Sequence, residues 1–101
     1  MGDMIVHSKN HRVMIESKNY SSVLPKKEMD KFFSDISTST CDGAILICSS
    51  VIPHKMPIDF EIKDKIPIFY IHSSQDPCSQ QLNKTIDCMF TIMDYLIPFL
   101  K

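Results

Sequence analysis

Two carboxylates and a lysine stand near the ends of two short apolar runs. Asp3 opens Asp3-Met4-Ile5-Val6-His7, and Glu16 and Lys18 close Arg12-Val13-Met14-Ile15-Glu16-Ser17-Lys18. Side chains alternate along a strand, so Arg12, Met14, Glu16 and Lys18 share one face, and Val13, Ile15 and Ser17 take the other. A hairpin turning at Ser8-Lys9-Asn10-His11 sets His7 opposite Arg12, Ile5 opposite Met14 and Asp3 opposite Glu16. Opposed residues on antiparallel strands have Cβ atoms about 5 Å apart, and like charges there are destabilising. A bound cation relieves them. Mg²⁺ takes one or two carboxylates together with waters and phosphate oxygens. Such an ion polarises a phosphoryl oxygen and lowers the pKa of its bound water. Lys18, next along on the same face, would orient or deprotonate the attacking water, or offset charge on the phosphorane. The pattern points to metal-assisted phosphodiester hydrolysis. The plain alternative is a solvent-facing Glu-x-Lys pair on a surface hairpin, which on its own is a common pattern.

These side chains need a frame. Pro25 fits the first turn of a helix, and Met29, Phe32, Phe33 and Ile36 recur at helical spacing. Lys26, Lys27 and Lys31 lie on the polar side of that helix, and residues 37–42 read as a polar connection. Residues 44–48 and 66–72 run apolar without alternation, as strands buried on both faces do. Pro53 and Pro57 mark a loop between them, and residues 59–62 read as a short edge strand. Asp76-Pro77 is a helix-start signal. Leu82, Ile86, Met89, Phe90, Met93, Leu96 and Ile97 then make one broad apolar stripe, suited to core packing or to a dimer face. The expected architecture is one α/β domain over 1–101, with a mixed central sheet flanked by helices in the order β-β-α-β-(β)-β-α.

Asp3, the run Ile15-Glu16-Ser17-Lys18-Asn19-Tyr20, the run Pro25-Lys26-Lys27-Glu28-Met29-Asp30-Lys31-Phe32 and the apolar stretch from Gly43 resemble the PD-(D/E)XK nuclease superfamily. This is the restriction-endonuclease-like fold, which includes archaeal-type Holliday-junction resolvases and many viral nucleases. The resemblance implies a DNA endonuclease dependent on Mg²⁺, with Mn²⁺ as a substitute. Asp3 and Glu16 would be metal ligands, Ser17 would offer its backbone carbonyl to the metal, and Lys18 would be the catalytic lysine. It further implies nucleic-acid contacts from Asn19, Tyr20, Lys27 and Lys31, although a solvated helix face also explains the two lysines. The family core opens with a helix and a strand ahead of the Asp-bearing strand, whereas this sequence begins two residues before Asp3. The resemblance thus covers the later part of that core. A preceding segment or a partner, a second copy of the chain included, would supply the rest. The rival expectation is an inactive, nuclease-like domain that binds nucleic acid or protein.

Composition sets wider bounds. A chain of 101 residues, 44% hydrophobic, holds one small core. The net charge of −1 advertises no global field for nucleic acid, and a structure-directed nuclease needs only a local positive surface. Cys41, Cys48, Cys78 and Cys88 have neither zinc nor redox spacing, so free thiols in a reducing compartment are expected. With Gly2 and Gly43 the only glycines, no phosphate-cradling loop exists, which excludes P-loop and dinucleotide sites. No signal-peptide pattern opens the sequence, and the apolar stretch over 88–100 is too short to span a bilayer and contains Asp94. The expected location is intracellular, cytoplasmic or nuclear, without a membrane. An Ile- and Lys-rich composition suits an AT-rich genome such as that of a large DNA virus.

Overall fold

A computed structural model describes residues 4–8, 11–73 and 79–100. Strands β1 (Met4–Ser8) and β2 (His11–Lys18) pair antiparallel, with His7 opposite Arg12 and Ile5 opposite Met14. This is the register expected from the alternation, and it is strongly specified because a slip of one residue would turn every apolar side chain to the wrong face. Helix α1 (Lys26–Thr38) leads to β3 (Gly43–Cys48), followed by β4 (Ile58–Lys63), β5 (Ile66–His72) and α2 (Gln80–Leu100). The sheet order is β1-β2-β3-β5-β4. Three central strands run parallel, and the two edge strands pair antiparallel to their neighbours. The fold is α/β, a five-stranded mixed open sheet with one helix on each face.

Alternation sorts the core into two layers. Met14, Ala44, Leu46, Cys48, Ile68 and Tyr70 pack with Met29, Phe32 and Ile36 of α1. Val13, Ile15, Ile45, Ile47, Phe69 and Ile71 pack with Leu82, Met89, Met93 and Ile97 of α2. β3 is buried at every position, which explains its unbroken apolar run. Gly43 opens β3 where α2 crosses closely: a Cβ there would stand 2.8 Å from Met93 Sδ.

Local differences from the expected elements have local causes. Pro25 caps α1 instead of lying inside it, and its carbonyl accepts the Glu28 and Met29 amides at 3.0 and 3.3 Å. The helix runs on through Ser37 and Thr38, whose hydroxyls bond back to the Phe33 and Ser34 carbonyls. The edge strand extends one residue further at each end than 59–62. It turns into β5 through Asp64 and Lys65, both at positive φ, the geometry of a two-residue hairpin turn. The Asp76-Pro77 signal lies outside the described residues; at the described start of α2 the Ser79 hydroxyl accepts the Leu82 amide at 3.2 Å. Among the described residues no helix is long and apolar enough to cross a membrane.

Candidate active site at the end of the second strand

Parallel pairing with β3 sets Lys18 level with Cys48, so the ends of both strands open on the same side of the sheet. Ser49, just past β3, ties the two ends together. Its amide donates to the Lys18 carbonyl at 3.0 Å, its hydroxyl accepts the Tyr20 amide at 3.1 Å, and that hydroxyl donates to Asn19 Oδ1 at 2.7 Å. Glu16 and Lys18 share the face that α1 covers, as the alternation requires. Glu16 is buried at 1% exposure and its Oε1 lies 2.7 Å from Lys18 Nζ. Glu28 Oε1 lies 3.2 Å from the same ammonium. Glu28 stands in the first turn of α1, where the helix dipole favours a negative charge. Lys18, Glu28, Ser17, Asn19 and Tyr20 line an open cleft of about 350 Å³.

The charges in this group are set by one another. Burial alone would lower the Lys18 pKa, but hydrogen bonds and charge from Glu16 and Glu28 overcome that and push it up to about 12. Lys18 is therefore an ammonium at neutral pH. Hydrogen bonds from Tyr20 and Lys18 hold the Glu28 carboxyl below its ordinary range, and the same contact with Glu28 raises the Tyr20 phenol. Lys31 is raised chiefly by its hydrogen bond to Asp35, at 3.3 Å, and also feels Lys18 and Glu16.

Glu16, Lys18, Ser17, Asn19 and Tyr20 are thus brought together, Lys31 lies on the adjoining helix, and Lys27 lies on the exposed face of α1. Asp3 lies outside the described residues. Glu28 completes the group and was not singled out from the sequence. The only trace it leaves there is an acid in a first helical turn, and the folding of that turn back over β2 is a tertiary fact. The donors suit a hard divalent cation in kind: carboxylate oxygens, with no thiol or imidazole among the residues lining the cleft. Among the described residues, Glu28 is the carboxylate that lines the cleft, and Glu16 lies buried behind it against Lys18. Among the described residues no group of three or more His, Cys, Asp or Glu is gathered as a metal site. Cys41, Cys48 and Cys88 are free thiols, and Cys78 lies outside the described residues.

A second polar group braces the far edge of the sheet. The buried Tyr70 hydroxyl donates to Glu61 Oε2 at 2.5 Å, and Lys55 Nζ reaches the same oxygen. Burial pushes the Glu61 carboxyl up, but these two hydrogen bonds together with the charges of Lys55 and Lys63 outweigh it and its pKa is lowered. No family model, curated protein or solved structure matches the chain.

Proposed function

We propose that the chain is a Mg²⁺-dependent DNA endonuclease domain of the PD-(D/E)XK kind, with Mn²⁺ as a substitute metal. The observation that carries this reading is the Lys18 ammonium held by the Glu16 and Glu28 carboxylates beside an open cleft, at the strand end where the resemblance expects Glu-x-Lys. The hairpin feeding a parallel central strand, followed by a helix and a second parallel strand, agrees with the later part of the restriction-endonuclease-like core. Glu16 and Asp3 would hold the metal, with the Ser17 carbonyl beside them. When bound, the ion supplies a polarised phosphoryl oxygen and an acidified water.

Lys18, permanently charged, is the electrostatic partner of the phosphorane and not the base that takes the proton from water. Glu16 and Glu28, the latter held in turn by Tyr20, fix the direction of its ammonium, and Asn19 and Tyr20, which line the cleft, would lie beside the DNA backbone. On this reading Lys27, exposed on α1, and Lys31, paired with Asp35, would contact phosphate, and the protein would work in the cytoplasm or nucleus. With Mg²⁺, the wild type should convert supercoiled plasmid to nicked circles and Glu16→Gln should not; equal cleavage by both would remove the site.

A second reading is favoured by one observation: Glu16 is 1% exposed and engaged by Lys18. On that reading the same group is a buried charge cluster in a catalytically inactive nuclease-like domain that binds nucleic acid or a protein. Retention of DNA in a gel shift without any cleavage would select it.

A further inference from the structure

Helix α1 separates two clefts. Glu28 lines the one beside Lys18, towards β2, while Lys26, Met29, Asp30 and Phe33 line another, towards β4. With 3.6 residues per turn these four fall within about 100° of one another, on the side of the helix away from Glu28. The rest of that second lining comes from Pro53, His54 and Lys55 in the loop before β4, and from Glu61 and Lys63 of β4 itself. The cleft has a volume of about 400 Å³, within the ~300–1,000 Å³ of small-molecule sites.

Its charges do not cancel. Three lysines meet two carboxylates, and each carboxylate already has a partner. Asp30 takes Lys26 at 3.0 Å, and Glu61 takes Lys55 together with the Tyr70 hydroxyl. The charge of Lys63 reaches Glu61, but its ammonium rests over the Phe33 ring, 3.8 Å from the centre. A ring face holds a cation more weakly than an anion would, so Lys63 is the cation that an incoming anion can claim.

The loop adds a separate sign. The Lys55 amide donates to the Ile52 carbonyl at 3.1 Å, closing a turn over residues 52–55. Pro53 fixes the first central position at negative φ, and His54 takes the second at φ 64. This is the pattern of a type II turn, which favours glycine or asparagine where His54 stands. A histidine there carries a backbone cost, and its side chain lines the cleft.

We infer that the cleft between α1 and β4 is a binding site for a small aromatic monoanion, a flat ring system carrying one carboxylate. The carboxylate pairs with Lys63, and one negative charge matches the one positive charge in excess. The ring packs among Met29, Phe33 and Pro53, the apolar part of the lining. A thioether and an aromatic side chain both favour an aromatic guest over an aliphatic one. Tyr70 and Lys55 hold Glu61 in place, so this part of the lining is set before any ligand arrives.

The inference is independent of the nuclease reading, since it uses none of the side chains around Lys18. Titration calorimetry with 2-naphthoate and the neutral 2-naphthamide tests it. Wild type should bind 2-naphthoate saturably, one per chain, and ~tenfold more tightly than 2-naphthamide, the worth of one charge-assisted hydrogen bond. Lys63→Met should erase that preference with an unchanged far-ultraviolet spectrum, because Lys63 is exposed. His54→Gly should part binding from stability: several-fold weaker binding of both compounds, with Tm raised by ~4–8 °C as the turn is relieved. Wild type that takes up neither compound at millimolar concentration overturns the inference, as does equal affinity for the two. So does a preference that survives Lys63→Met, or a His54→Gly variant that binds both as tightly as wild type.

Discussion

Replacing Lys18 by Met keeps the aliphatic stem and removes the charge that Glu16 and Glu28 share. Glu16 Oε1, on a residue 1% exposed, loses the ammonium at 2.7 Å, while Glu28 is 18% exposed and regains water more readily. Removing one partner of a buried ion pair costs ~3–5 kcal/mol, and with one of the two carboxylates at the surface we expect about 3 kcal/mol. For a domain of this size that lowers Tm by roughly 12–24 °C. The origin of the loss is tested by a second change: Glu16→Gln in the Lys18→Met background should recover most of it, since an uncharged pair leaves no buried charge behind. Urea titration of the wild type, the single variant and the double variant measures all three. A loss below about 0.5 kcal/mol, the range of ordinary surface changes, would refute the claim that these charges are coupled. So would a double variant no more stable than Lys18→Met.

The same cluster makes stability pH-dependent. Lys18 titrates near 12 in the folded chain against 10.5 ordinarily, so its contribution is complete below pH 10.5 and is lost as pH rises through 12. The span corresponds to about 2 kcal/mol, and denaturation curves of the wild type should fall by that much more than those of Lys18→Met across the window. At Gly43, an Ala Cβ meets Met93 Sδ at 2.8 Å, and the flexible thioether must move. Gly43→Ala should cost about 1–2 kcal/mol in urea denaturation, and a neutral result would show that α2 does not press on β3 there.

The hairpin register was legible because alternation has a strict period of two and a polar break fixes the turn, so His7 finds Arg12. The central strands were legible because β3 and β5 are buried on both sides and read as unbroken apolar runs. Glu28 was not, since its place beside Lys18 depends on how α1 crosses the sheet, which no local pattern encodes. Nor was Ser49, whose hydroxyl braces Asn19 and Tyr20 across thirty positions of chain. In α2 the stripe from Leu82 to Ile97 was legible from its helical spacing and is the one that packs on the sheet. Packing sends Met89 and Met93 to the sheet and leaves Tyr95 and Phe99 outside.

On the proposed reading Lys18, held by its carboxylates, stabilises charge on a phosphodiester undergoing hydrolysis. The most direct measurement is single-turnover cleavage of an end-labelled DNA duplex in saturating Mg²⁺, by wild type and by Lys18→Met, at a temperature where both remain folded. Cleavage by the wild type is expected, with a loss on the order of 10²–10³-fold in the variant, the usual cost of removing one preorganised charge. A folded wild type that leaves the duplex intact, or a variant that cuts as fast, would contradict it.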